Sequence, residues 1–167
     1  MHVTIRNEEA KDIDRVREVV ASAFPTDAES RLVDALRANG KATISLVAES
    51  GNQIVGHILF SPVSTTPPGD AKGIGLAPVA VHPSAQSQGI GSKLIHEGLR
   101  LGKELGFDYC VVLGSPKYYQ RFGFEKASPF GIRNEYGVDD EFMVFHFSAR
   151  RAAGLAHYAS EFAMFSV

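Results

Sequence analysis

The chain has 167 residues, 44% of them apolar and 22% charged, with a net charge of −2 and one cysteine. That length suits one domain with its own core, and the charge excludes the strong basic excess of a nucleic-acid binder. No run approaches the roughly 18 apolar residues of a membrane span. The charged start (MHVTIRNEEAKD) does not read as a signal peptide, and lone Cys110 forms no internal disulfide, so a cytoplasmic protein is expected.

Val3 to Arg6 alternates apolar and polar residues, and Asn7 can cap the segment that follows. Glu8 and Glu9 suit a first helical turn, and Ile13, Val16, Val20 and Phe24 recur at helical steps, predicting a helix over 8–23. After Pro25, Thr26 and Glu29 form a capping-box pair. Leu32, Val33 and Leu36 give the buried stripe of a second helix, stopped at Gly40. Strands at 44–50 and 53–63 flank Gly51-Asn52, a hairpin signal, and the Pro/Gly-rich 64–73 reads as a loop.

The strand at 74–81 contains Pro78, which cannot donate to a ladder and so implies an edge, a bulge or abandoned pairing. A helix from Gly89 should bury Leu94, Ile95, Leu99 and Leu105 and end at Gly106. Residues 109–113 form a short buried strand, 116–122 one or two helical turns, 124–126 the start of a strand, and 141–147 an aromatic strand. Residues 150–167 are weakly patterned and are assigned no element. The order β-α-α-β-β-β-α-β-α-β-β describes an α/β (α+β) chain, a mixed sheet with helices on its faces.

The segment from Gly73 to Gly106 is the most informative. A strand-like run (GIGLAPVAV) passes through His82 and Pro83 into Gln86-Ser87-Gln88-Gly89-Ile90-Gly91, and a helix follows at once. First-turn N–H groups lack intrahelical partners and the helix dipole adds positive potential, so such a turn suits phosphate. Glycines at 89 and 91 remove the Cβ atoms that would keep a diphosphate off the backbone. The glycines alone also fit a purely structural turn. A dinucleotide fingerprint needs a third glycine where Leu94 stands, and no Walker lysine follows.

Gln-x-x-Gly-x-Gly after Val-Ala-Val-His-Pro, with Tyr118-Tyr119-Gln120-Arg121-Phe122-Gly123-Phe124 beyond the next strand, resembles the GNAT superfamily of acetyl-CoA-dependent N-acetyltransferases. The resemblance covers roughly residues 2–147 and is strongest over 73–126. Its Leu-Gly-x-Pro-x-Tyr-Tyr-x-Arg-Phe-Gly-Phe variant is similar to a bacterial branch of that superfamily. It implies one acetyltransferase domain over 1–149 with 150–167 as its C-terminal extension. The sheet would be mostly antiparallel, with flanking helices and a splayed central strand pair (76–81 and 109–113). Acetyl-CoA would be the acyl donor, its pantetheine arm lying along the backbone of Val79, Ala80 and Val81 as an added strand would. Those amides would also polarise the thioester carbonyl. Gln86, Ser87, Gln88, Gly89, Ile90, Gly91 and Ser92 would hold the diphosphate. Ser115 stands where many relatives carry a cofactor-bonding asparagine, and Tyr119 matches the acid that protonates the departing thiolate.

Direct transfer to a primary amine requires the amine to lose a proton, since a lysine-like amine has a pKa near about 10.4. Residues 73–81 hold no carboxylate, so the base candidates are His57, Glu49, Glu141 or a water chain to bulk. His57 is the preferred side chain, its blander reading being a hydrogen-bonded packing residue. Tyr118 reads as packing, Cys110 as core and His82 as serving its turn. No metal-spaced cluster is present and no metal is expected. A competing reading is a non-catalytic acyl-CoA-binding sensor that keeps the groove without transfer. The acceptor (small molecule or peptide) is not encoded in any motif. Phe162, Met164 and Phe165 could dock on the chain itself or on a second copy, so monomer and homodimer both fit.

Overall fold

A computed structural model of the chain describes residues 2–165. In chain order the elements are β1 (Thr4–Asn7), α1 (Ile13–Ala23), α2 (Ala28–Ala38), β2 (Ile44–Ser50), β3 (Gln53–Thr66), β4 (Gly73–Val81) and α3 (Ile90–Glu104). There follow β5 (Tyr109–Leu113), α4 (Pro116–Tyr119), β6 (Glu125–Lys126), β7 (Ile132–Asn134), β8 (Phe142–His146) and β9 (Gly154–His157), with short 3-10 turns between. The strands are paired mostly antiparallel, in a mixed α/β arrangement with flanking helices. The residues gather into two compact units. The first runs to Phe60 and includes Ala77–Gly98 and the turn from Glu161; the second is Ser61–Leu76 with Leu99–Ser160.

In the first unit β1, β2 and β3 form an antiparallel ladder, with one irregularity at Ala48/Glu49. Side chains alternate across β3, so neighbours face different helices. At Gly56 a Cβ would meet Ile90 and Leu94 of α3 at 3.1 Å, whereas His57 points to the Arg37 and Glu8 side of the sheet. A Cβ on Gly98 would drive into the Phe60 ring, so this glycine lets α3 lie close on β3. α1 buries Val16 and Val20 of its predicted stripe together with Val19, while Ile13 and Phe24 are half-buried and Phe24 follows the helix; α2 buries Leu32, Val33 and Leu36 as predicted.

Local detail departs from the sequence reading in two places here. Glu8 lies outside the helix and pairs with Arg37 at 2.7 Å, because the helical segment opens only at Ala10. A capping interaction does occur there, with Asp12 Oδ2 accepting the Glu9 N–H at 2.7 Å. The Thr26–Glu29 box does not form. Asp27 occupies the cap, and Thr26 Oγ1 accepts from the Ala28 N–H at 3.3 Å.

In the second unit, the start of β4 pairs parallel with β5, β5 pairs antiparallel with β8, and β8 with β6. A further ladder joins Ser64–Thr66 of β3 to β9 (antiparallel) and β9 to β7 (parallel). This corrects the expected loop at 64–73: β3 runs to Thr66 because β9, unassigned from sequence, supplies its partner. Leu105, expected in the core, is 60% exposed, since α3 stops at Glu104 and Gly106 (φ 89°) turns the chain away. Phe162 is buried; the reading of Met164 and Phe165 concerns side chains outside the described residues. Among the described residues no helix is long and apolar enough to cross a membrane.

Candidate active site

The turn from Gln86 to Ser92 belongs to the first unit. β4 ends at Val81, and His82 Nδ1 accepts the Ser84 N–H at 3.1 Å, capping one 3-10 turn over Pro83–Ala85. Ala85 is buried and Gln86 Nε2 donates to the Val81 carbonyl at 3.0 Å, so both ends of the turn are tied to the strand. Ser87 (φ 62°) and Gly89 (φ 80°) then take the left-handed conformation, Ser87 being the sole non-glycine to do so among the described residues. A Cβ on Gly89 would meet nothing, so its backbone angle, rather than space within the protein, calls for glycine.

The first helical bond of α3 runs from the Lys93 N–H to the Gly89 carbonyl, at 3.1 Å. The N–H groups of Ile90, Gly91 and Ser92 therefore have no intrahelical acceptor, and the dipole of a 15-residue helix adds to their field. Ile90 is buried and fixes the helix start, while Gln86, Ser87, Gln88 and Gly89 are exposed. On β4, Ala80 is buried, whereas Val79 and Val81 are half-buried. Such a turn can bind a diphosphate through backbone donors.

Tyr119 belongs to the second unit. β4 and β5 are paired only at Gly73–Gly75 against Tyr109–Val111, although β5 continues to Leu113. Gly114 follows β5, and a Cβ there would collide with the Tyr119 ring. Ser115 Oγ accepts the Tyr118 N–H at 3.3 Å and caps α4, so this exposed hydroxyl has a local structural duty. Tyr119 is 8% exposed and packs edge-on against Tyr118 and Phe124, with ring centroids 5.1 and 5.6 Å apart. Burial pushes its phenol up to about 12, with smaller contributions from Tyr118 and Cys110, so it carries its proton at neutral pH. Tyr118 packs among Tyr119, Phe122 and Arg121. Cys110 is wholly buried and burial pushes its thiol up, as suits a core residue.

His57 is 0% exposed. Its Nε2 lies 2.9 Å from Ser45 Oγ, and among the described residues Nδ1 has no partner. Burial, with a smaller contribution from the Arg37 charge, pushes the imidazole down to about 3. Glu8 Oε2, 3.8 Å away, would favour the charged ring, but Arg37 holds that carboxylate at 2.7 Å and burial prevails. Of the other base candidates, Glu49 is 3.3 Å from Arg6 and Glu141 is exposed.

Two residues near this chemistry escaped sequence reasoning. Gly114 seats the Tyr119 ring; a glycine directly before a serine-capped turn was the available signal. Tyr158 is buried, and a Cβ on Gly75 would lie 2.6 Å from its ring. Its phenol is pushed well up by burial and by Cys110, Tyr136 and Tyr119, so it shares their surroundings. No periodicity marked it.

The first unit thus presents a βα turn with N–H groups open at its helix start, and the second a serine-capped tyrosine turn after β5. The family model of the acetyltransferase (GNAT) family matches residues 13–124, and the chain belongs to that family of N-acetyltransferases. It is 34% identical over 166 residues to the N-acetyltransferase YhbS of Escherichia coli, covering 96% of this chain and 99% of that protein. The crystal structure of YhbS in complex with CoA superposes with a TM-score of 0.92 at 33% identity, over 99% of this chain and 94% of that one. A GNAT acetyltransferase from Brucella melitensis in complex with acetyl-CoA gives 0.82 at 37%, over 96% and 98%.

Proposed function

We propose that this N-acetyltransferase uses acetyl-CoA as donor and passes the acetyl group directly to a primary amine within a ternary complex, with Tyr119 as the acid. The observation that carries the reading is the left-handed Ser87–Gly89 turn, whose free amides at Ile90, Gly91 and Ser92 suit the donor's diphosphate. The CoA and acetyl-CoA complexes of YhbS and the Brucella protein support the same donor. In this reading the turn from Gln86 to Ser92 holds the diphosphate. The backbone of Val79, Ala80 and Val81 holds the pantetheine amides and donates to the developing oxyanion. Ser115 keeps a hydroxyl proton available for donation while capping α4.

The amine nitrogen bonds to the thioester carbon, and the carbon–sulfur bond breaks as the electron pair leaves on sulfur. Tyr119 gives its phenolic proton to that sulfur, an assignment supported by its motif match and by a phenol that stays protonated at neutral pH. The proton lost by the amine goes to bulk through water. His57 takes no part in this proposal, because a sealed ring that resists protonation down to about pH 3 cannot exchange protons with an amine in water.

The test is thiol release from acetyl-CoA across an amine panel, for wild type and Tyr119→Phe. Wild type should release thiol only with an acceptor present, and the variant's kcat should fall by about 10²–10⁴. Equal turnover by the two proteins removes Tyr119 from the reaction. Binding of CoA by calorimetry without thiol release from any amine would instead identify a sensor.

A further inference from the structure

The second unit carries a constellation that acetyl transfer does not use. β9 lies between the end of β3 and β7, with Thr66 opposite Leu155, Ser64 opposite His157, and Asn134 opposite Ala156. This register brings Thr66 of β3 and His157 of β9 together with Glu135, the residue that follows β7. Thr66 Oγ1 is 2.7 Å from His157 Nε2, and His157 Nδ1 is 3.1 Å from Glu135 Oε2. The placement is built by close packing: Gly154 (φ 104°) opens β9, and a Cβ there would collide with the Thr66 carbonyl.

The roles in these contacts depend on the imidazole tautomer. With its proton on Nδ1, His157 turns an N–H toward the Glu135 carboxylate and leaves a lone pair on Nε2 facing Thr66. Thr66 O–H then donates to Nε2. A hydroxyl pointing its proton at an imidazole, itself oriented by a carboxylate, is the arrangement that activates an oxygen nucleophile. Thr66 is exposed, and the side chains of His157 and Glu135 are 29% and 45% exposed, so a small acyl donor can reach the oxygen from solvent.

We propose that Thr66, His157 and Glu135 form a second, nucleophilic site that accepts an acyl group from small activated carboxylic esters. Thr66 Oγ1 bonds to the ester carbonyl carbon while His157 Nε2 takes the hydroxyl proton. The ester's carbon–oxygen bond breaks, and His157 returns the proton to the departing alkoxide. The products are an acyl-Thr66 ester and one alcohol, with no oxidant or further reactant required. Water attacking the acyl-Thr66 carbon, with His157 again as base, would release the carboxylic acid and restore the site.

The experiment treats the full chain with p-nitrophenyl acetate, follows nitrophenolate release and maps acetylation by peptide mass spectrometry after an acid quench. The expected result is one acetyl group on Thr66. His157→Gln should label at least about 10²-fold more slowly, Glu135→Gln more slowly than wild type, and Thr66→Ser at an equal or higher rate. Circular dichroism melting of each variant separates lost chemistry from lost folding, and Thr66→Ser supplies the conservative rescue. Label spread over lysines with none on Thr66, or Thr66 labelling unchanged in folded His157→Gln, would overturn the proposal.

Discussion

His57 should contribute a separable part of the weakening of this fold on acidification, by an amount its burial sets. The imidazole is wholly buried and its pKa is pushed down from 6.5 to about 3, with burial the larger cause and the Arg37 charge the smaller. Its folded value lies below the unfolded one, so the unfolded chain takes up the proton first. The stability it contributes is complete above about pH 6.5 and is lost as pH falls toward about 3. At about 1.36 kcal/mol per pH unit, the full span corresponds to roughly 5 kcal/mol, and the loss by about pH 4.5 to roughly 3 kcal/mol. Urea unfolding at about pH 7.5 and about pH 4.5, for wild type and His57→Gln, measures it. Gln keeps an amide for Ser45 but cannot titrate. Carboxylates such as Asp12, held down by Arg6, lose stability in both proteins and cancel in the difference. The wild type should lose about 3 kcal/mol more than the variant over that interval. Equal losses would show that His57 is hydrated or already paired, and the argument from burial would fail.

Gly98→Val should cost about 1–3 kcal/mol or more in urea unfolding, since its side chain must displace the fully buried Phe60 ring; a change within error would refute the close approach of α3. Tyr119→Phe should leave the melting temperature nearly unchanged, because the ring contacts with Tyr118 and Phe124 persist, while kcat drops. Gly89→Val should lose about 1–2 kcal/mol from its left-handed backbone, and calorimetry should show weaker binding of CoA. Arg6→Met should lower stability by about 3 kcal/mol, as it strands the buried Asp12 carboxylate that Arg6 holds at 2.8 Å; an unchanged melting curve would refute that pairing.

Elements whose signals are local were legible in the sequence. The stripe of α2, the Gly51-Asn52 hairpin and the turn into α3 are specified by residues within a few positions of one another and form where expected, and α1 forms within its expected span with Val16 and Val20 buried. β7 and β9 were not legible, because strands of three and four residues are too short for a period and exist only through each other and through Ser64–Thr66. For the same reason the sequence at the end of β3 reads as loop. The turn into α3 could be read because glycine and helix-start signals lie side by side along the chain. The surroundings of His57 could not, since Ser45, Arg37 and Glu8 reach it from three other segments. Gly114 shows an intermediate case: its position was visible, but its purpose depends on where the Tyr119 ring falls.

Gly56 and Gly98 leave α3 little room to shift on β3, and buried Ile90 anchors its first turn. The amides that precede and open the helix are thus fixed in direction before any ligand arrives. An incoming diphosphate would meet donors that need no reorganisation, so little conformational entropy is lost when it settles. Replacing either glycine with a larger residue should therefore loosen anion capture without touching a single donor atom, and the penalty would grow with temperature.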